Sequence, residues 1–118
     1  MLFENVLFKN CSFVNCRLLR EIRFNNCEFS GCVFRTSFIA DCSFMNCDIS
    51  SLDFVFTHGL YGIGFDSCNL KNVCVLKSEL LFRLTKSKLS SSTIDLSSLD
   101  IVLEEQASMI NMNIEYSN

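Results

Sequence analysis

Large apolar residues recur at every fifth position along most of this 118-residue chain. Consecutive segments such as CSFVN, CEFSG, CSFMN and CNLKN each carry a large apolar residue in the third place. A period of five is neither the 3.6-residue period of an amphipathic helix nor the simple alternation of a strand. Because the first and third residues of each five face the same side of an extended segment, a corner must follow to restore the phase. The pattern therefore predicts a coil with flat sides, whose axis is filled by the large side chains.

The third residue of each five, termed the central position, is large and apolar wherever the period holds. Nine of the 12 phenylalanines occupy it, which indicates a core built largely from aromatic rings. The central residues are Phe3, Phe8, Phe13, Leu18, Phe24, Phe29, Phe34, Ile39, Phe44, Ile49, Phe54, Leu60, Phe65, Leu70, Val75, Leu80, Leu84, Leu89, Ile94, Leu99, Met109 and Ile114.

Two other positions of the repeat are also restricted. The residue two places before each centre is usually small or apolar, and seven of the eight cysteines lie there. The residue two places after the centre is often Asn, which suits a corner because its short amide can bond the local backbone. The corner asparagines are Asn5, Asn10, Asn15, Asn26, Asn46 and Asn72.

The spacing of the centres departs from five in a few places. It is six residues over 18–24 and 54–60, and four over 80–84. A slip of one residue is typical of a bulge at a corner. Glu104 would fall on a central position, so we expect a bulge, a loop or a short helical cap over 102–106.

Repeats such as CSFVN, CEFSG and CSFMN resemble those of the pentapeptide-repeat family in its Cys- and Phe-rich form, over nearly the whole chain. The resemblance implies an all-β fold, a right-handed quadrilateral β-helix of about six coils. We expect a single domain over 1–118, in which 100–118 could form a C-terminal cap. Functions within the family differ. Some members resemble DNA and bind type II topoisomerases, and others belong to secreted effectors or to the luminal domain of synaptic vesicle glycoproteins, so the fold alone does not choose a function.

Composition and charge narrow the function classes. No apolar run approaches the roughly 18 residues of a membrane span, and the N-terminus lacks the pattern of a signal peptide, so we expect a cytoplasmic protein without membrane contact. The net charge of −3 disfavours direct binding of nucleic acid. Acidic residues concentrate in 41–70 and 91–118, with a basic band over 71–90 between them. A DNA mimic would present one continuous acidic stripe, although a dimer could align the two bands.

The cysteines and the single histidine do not indicate catalysis. Counting coils stacks Cys27, Cys47 and Cys68 in one column, where parallel side chains suit packing better than a disulfide or a metal shell. His58 falls in the column of Cys16, but two coils lie between them, which is too far for a nucleophile and its base. We therefore expect no metal, no cofactor and no enzymatic activity. Cys74 falls outside the column positions and is predicted to be an exposed thiol.

Two of the four faces carry outward apolar residues, which solvent-exposed faces normally avoid. A contiguous apolar patch usually marks an interface, and aromatic residues commonly anchor one. The alternative is that bulges turn some of these side chains inward or that another segment covers them. The residues, termed the apolar surface below, are Val14, Val33, Phe38, Val55, Phe56, Tyr61, Leu76 and Leu81.

We expect from these features a non-enzymatic scaffold or protein–protein interaction module. The sequence does not identify the protein partner. A homodimer could form through the apolar surface or through the open N-terminal coil, because open strand edges invite pairing. The alternative function is that of a DNA mimic that binds a type II topoisomerase.

Overall fold

Short parallel strands separated by corners make up the regular structure of the chain. The computed structural model describes residues 1–17, 19–95 and 97–115, with the side chains of all of these except 19, 60, 61 and 115. Over these ranges every regular element is a β-strand, and no helix there is long and apolar enough to cross a membrane.

Most strands cover one face of the coil and are short, whereas a strand that continues from one face to the next is longer. They are β1 (Leu2–Glu4), β2 (Leu7–Lys9), β3 (Ser12–Val14), β4 (Leu19–Arg20), β5 (Arg23–Asn25), β6 (Glu28–Ser30), β7 (Cys32–Arg35), β8 (Phe38–Met45), β9 (Asp48–Ile49), β10 (Leu52–Val55), β11 (His58–Asp66), β12 (Asn69–Lys71), β13 (Val73–Leu76), β14 (Glu79–Thr85), β15 (Lys88–Ser90), β16 (Thr93–Asp95), β17 (Ser98–Leu103), β18 (Ser108–Ile110) and β19 (Asn113–Glu115).

Each strand pairs in parallel with strands one turn before and after it, which forms three stacked sheets. One sheet runs β1-β5-β8-β11-β14-β17 with β4 beside β8, and its longer strands cover the fourth face and then the first face of the coil. The second face is β2-β6-β9-β12-β15-β18, and the third is β3-β7-β10-β13-β16-β19. One turn takes 21 residues from Cys16 to Ser37 and 19 from Cys68 to Ser87. The predicted all-β solenoid is confirmed.

Aromatic rings stack along the axis of the coil. The ring centroids of Phe24 and Phe44 are 4.7 Å apart at an interplanar angle of 16°, and those of Phe44 and Phe65 are 5.0 Å apart at 17°. Within one coil, Phe24 meets Phe29 edge-on at 5.1 Å and 78°. Burying one such side chain contributes about 1.5–3 kcal/mol, and each well-oriented ring pair adds about 0.5–1.5 kcal/mol. The axial stack therefore contributes substantially to stability.

The corners use the left-handed backbone conformation. All six predicted corner asparagines have positive φ values, for example 56° at Asn5 and 53° at Asn46. Asn enters this region more readily than most residues because its short side chain bonds locally. The asparagine pattern therefore predicted the corners correctly.

Small residues two places before the centres satisfy backbone groups inside the coil. The Ser78 hydroxyl lies 3.2 Å from the Phe54 carbonyl and 2.9 Å from the Leu76 carbonyl, and it accepts the Thr57 N–H at 3.0 Å. The Cys68 thiol lies 3.4 Å from the carbonyls of Phe44 and Asp66. Ser, Thr and Cys alternate here because each is compact and carries a donor.

The predicted register needs correction where the spacing is six. Gly59, not Leu60, lies opposite Ile39, and the irregularity falls between 60 and 63. The reason is local crowding, since a Cβ atom at Gly59 would lie 3.1 Å from the Leu80 side chain. Likewise the backbone of Leu19, not residue 18, lies opposite Ile39, while the side chains of 18, 19 and 60 are outside the described residues.

Where two centres are only four residues apart, over 80–84, one continuous strand takes the place of a corner. Leu80, Phe82 and Leu84 all point inward along β14 and are at most 5% exposed, and none of 79–85 has a positive φ. The next turn repeats this spacing, because Leu103, not Glu104, lies opposite Leu84.

Residues beyond 97 continue the coil with β17, β18 and β19. Each pairs with the turn before it, and a hydrogen-bonded turn occupies 105–106. The irregular segment predicted over 102–106 is thus the end of a strand followed by a turn. A capping role for 100–118 stays a prediction.

The hydroxyl at Ser78 tests the inner hydrogen bonds. Ser78→Val should lower the free energy of unfolding by about 1–3 kcal/mol, because it leaves the buried Thr57 N–H without its acceptor. Ser78→Thr is the matched control, since Thr has the shape of Val but keeps the hydroxyl. Urea denaturation measures both, and equal losses in the two variants would show that volume, not hydrogen bonding, governs this position.

Candidate functional site

Two rows of outward side chains run along the third face, as predicted. Val14 is 48% exposed, whereas Val55 is only 7% exposed between Arg35 and Leu76 in its row. The Val55 side chain is therefore largely covered and offers little exposed area on this face. The first row is Ser12, Val33, Asp53, Cys74 and Thr93, and the second is Val14, Arg35, Val55, Leu76 and Asp95.

The fourth face is more polar than predicted. Phe38 and Leu81 are half-buried and Ala40 is buried, while the Tyr61 side chain lies outside the described residues. His58 lies opposite Phe38 and Glu79 on neighbouring strands, and its Nδ1 is 3.4 Å from a Glu79 carboxylate oxygen. A contact between two polar side chains thus lies beside the aromatic ring of this face.

The predicted inward position of His58 is wrong. Thr57 occupies the column of Ser37 and Ser78, where its hydroxyl lies 3.0 Å from the Phe34 carbonyl. His58 is the residue after Thr57 and points outward. The reason is that the repeat that ends before Thr57 has five residues and not six. Cys16 and His58 both line one groove, but they remain two coils apart, about 10 Å at 4.8 Å per coil.

Phe56 occupies the corner between the third and fourth faces in an unfavourable conformation. Its φ is 47° and its side chain is 46% exposed, and the Lys77 Nζ lies 5.5 Å from its ring centroid. A left-handed conformation costs about 1–2 kcal/mol for an ordinary residue. Among the described residues with positive φ, Phe56 is the one large apolar side chain.

An open groove of about 750 Å³ crosses this corner over three successive coils. It brings together Phe38 and Phe56, which lie far apart in sequence, and adds Arg17 to them. Sequence reasoning missed the groove, and the available signal was an aromatic residue where Asn is the usual corner residue. The lining residues are Cys16, Arg17, Thr36, Ser37, Phe38, Phe56 and His58.

Cys74 is not the exposed thiol that its repeat position predicted. The side chain is half-buried on the third face. Burial, together with the nearby carboxylates of Asp53 and Asp95, raises the pKa of Cys74. The thiol therefore stays protonated at neutral pH and is a poor nucleophile, because the thiolate is the reactive form.

The predicted column of Cys27, Cys47 and Cys68 is present in the core. A hydrogen bond from Cys68 lowers the pKa of Cys47 to about 7, and the same contact together with burial raises the pKa of Cys68. Both side chains are at most 4% exposed, so a reagent in solvent cannot reach them. Over the described residues no cluster of three His, Cys, Asp or Glu could hold a metal ion.

Comparison with known proteins finds matches among solved structures alone. No family model and no curated protein matches the sequence, whereas 17 chains of solved structures match. One is a trypsin-treated QnrB1, a plasmid-mediated fluoroquinolone resistance protein, with a TM-score of 0.49, 16% identity, and coverage of 93% of this chain and 68% of that chain. Another trypsin-treated QnrB1 has a TM-score of 0.43 and 11% identity, covering 95% and 71%.

A third solved structure is the pentapeptide repeat protein Rfr23 from the cyanobacterium Cyanothece 51142. It has a TM-score of 0.29 and 11% identity, with 98% of this chain and 91% of that chain covered. The assignment of the fold therefore rests on the five-residue period and on the observed strand register.

Asp53 provides a pH-dependent test of the third face. Burial raises the pKa of its carboxyl, and Arg35 partly opposes this. Because the folded-state pKa is raised, stability falls as the pH rises through it. Asp53→Asn should therefore be more stable than the wild type at pH 7, and the advantage should vanish below the unfolded pKa of about 3.9.

Urea midpoints at pH 7 and at acidic pH measure this difference, with Asp48→Asn on the polar second face as the control. A less stable Asp53→Asn at pH 7 would mean that attraction to Arg35 outweighs burial.

Proposed function

We propose that this chain, a pentapeptide-repeat β-helix, is a non-enzymatic scaffold that binds another protein through its apolar surface. The observation that carries the proposal is Phe56, a half-exposed aromatic residue in a strained corner. A large aromatic side chain there costs stability that Asn would not cost, and such residues cluster at functional positions. Phe38 lines the same groove, which supports a shared contact surface around the two rings.

The coil suits a binding platform because it is rigid. Strands β7, β10 and β13 hydrogen-bond to one another in register across the third face, so the outward side chains are held in fixed positions. A preorganised surface loses little conformational entropy when a partner binds. Affinity can then come from a modest apolar area.

Several observations support a non-enzymatic role. Cys16 is too far from His58 for proton transfer, and the exposed His58 is paired with Glu79. The cysteines serve the core, since five of the eight are buried. We place the protein in the cytoplasm as part of the proposal, because buried free thiols suit a reducing compartment.

Self-association is a second form of the same proposal. A second copy could bind through the apolar surface or through the first coil, where Leu2 is 57% and Leu7 is 60% exposed. Light scattering distinguishes the two kinds of dimer, because a substitution at Phe38 should prevent only the dimer that forms through the apolar surface.

Charge density argues against the alternative of a topoisomerase-binding DNA mimic. B-DNA presents one negative charge per about 1.7 Å of its axis, whereas this chain of 118 residues carries a net charge of −3. On the second face, Glu28 and Asp48 are followed in their row by Asn69 and Lys88. We therefore expect supercoiling by gyrase to proceed unchanged with the protein in excess, and inhibition at stoichiometric amounts would support the alternative.

The apolar surface is tested by a pair of charge insertions. Phe38→Asp and Leu76→Asp should each abolish binding of proteins that the wild type captures from its own cell extract, or abolish its self-association. Lys71→Asp on the second face is the control and should change neither. Affinity capture with light scattering provides the measurement. If both surface variants keep every partner and the native mass, this surface is not an interface.

A further inference from the structure

The groove at the corner combines two aromatic rings with cations that no carboxylate pairs with among the described residues. Phe38 and Phe56 line it together with Arg17, and Lys77 lies against the Phe56 ring. We propose that this groove binds an acidic segment of a partner protein, which places one aromatic or large aliphatic side chain against the two rings. The inference rests on the proposed function and specifies the chemistry of the partner.

The distribution of charge supports an acidic segment. Between described residues, the close contacts of a basic side chain with a carboxylate are His58 with Glu79 and Arg83 with Glu104, so no described carboxylate pairs with Arg17 or Lys77. The Glu79 carboxylate, on the strand next to His58, is already engaged by that histidine. A carboxylate brought by a partner would therefore meet cations that lack a described carboxylate partner, and a basic segment would be repelled.

The same balance disfavours a nucleic acid or an anionic membrane as the occupant. Polyanions are bound by many phosphate contacts, whereas this groove offers Arg17 and Lys77 beside an apolar floor. The chain as a whole carries a net charge of −3, which opposes a polyanion at longer range. The aromatic floor instead needs an apolar group, which an acidic peptide can carry between its carboxylates.

Around Phe56, recognition proceeds through side chains and not through strand addition. Strands β10 and β11, which flank Phe56, pair on both sides with the neighbouring turns, so neither has a free backbone edge to extend. The corner conformation of Phe56 holds its ring outward beside Thr36, which also lines the groove. The positions of the two rings, with Arg17 and Lys77 beside them, define the spacing that the partner must match.

Binding of synthetic peptides to the full chain tests the inference. The probes are fluorescein-labelled peptides of equal length: one with Glu residues around a central Phe, one with Lys in place of each Glu, and one with the same Glu residues around a central Ala. Fluorescence anisotropy should show that the acidic Phe peptide binds at least about tenfold more tightly than either control. Its affinity should fall as salt is raised.

Variants of the groove give the matched comparison. Phe56→Asn should lower affinity by about tenfold or more while the chain stays folded, because Asn is the usual residue of these corners. Arg17→Glu should reverse the charge preference, so that the Lys peptide binds better. Lys71→Glu, on the second face, should leave the preference unchanged, and circular dichroism melting verifies the fold of each variant.

Three results would overturn the inference: equal binding of the acidic and basic peptides, no binding of the acidic Phe peptide, or full affinity in folded Phe56→Asn. These results are separable from the proposed function. If Phe38→Asp abolishes partner capture but the peptides do not discriminate, the surface stands and its acidic specificity fails.

Discussion

The structure depends on the in-register parallel pairing of each turn with the next. Because equivalent residues lie opposite one another, as in Phe24 with Phe44, each repeat position becomes a column along the coil. A column of Phe stacks face to face, and a column of Ser, Thr and Cys passes hydrogen bonds between turns. Loss of register at one turn would break both kinds of contact, which is why the repeat is kept so strictly inside the coil.

The pairing leaves the outward positions free to vary, and there the chain departs from its own repeat. At the corner after β10, Phe56 replaces the Asn that the backbone favours, and Lys77 takes the equivalent corner one turn later. Both residues adopt a left-handed conformation without the short amide that can bond the local backbone at an Asn corner. The proposed interface rests on Phe56 for this reason, since a large aromatic side chain at an exposed left-handed corner lowers stability.

The residues that were predicted well are those that repeat. The corner asparagines and the column of Cys27, Cys47 and Cys68 follow directly from counting fives. Two of the predictions that failed lie where the spacing of the centres is six: Gly59 took the position assigned to Leu60, and Thr57 took the position assigned to His58. A spacing of six shows that one residue is extra, but not which one, because that depends on which side chain the neighbouring turn can accommodate. At position 59 the neighbouring Leu80 side chain leaves little room for a Cβ atom, which favours Gly there.

The sequence by itself determined the coil, its aromatic axis, its corners and the face that carries Val14 and Val33, because all of these follow from a period that local sterics and burial enforce. The groove was decided only by the tertiary structure. Arg17, Phe38 and Phe56 belong to three different turns, and their proximity arises from the stacking distance and from the exact residue at which each bulge occurs. The contact of His58 with Glu79 has the same origin, since it requires His58 to lie outside the coil.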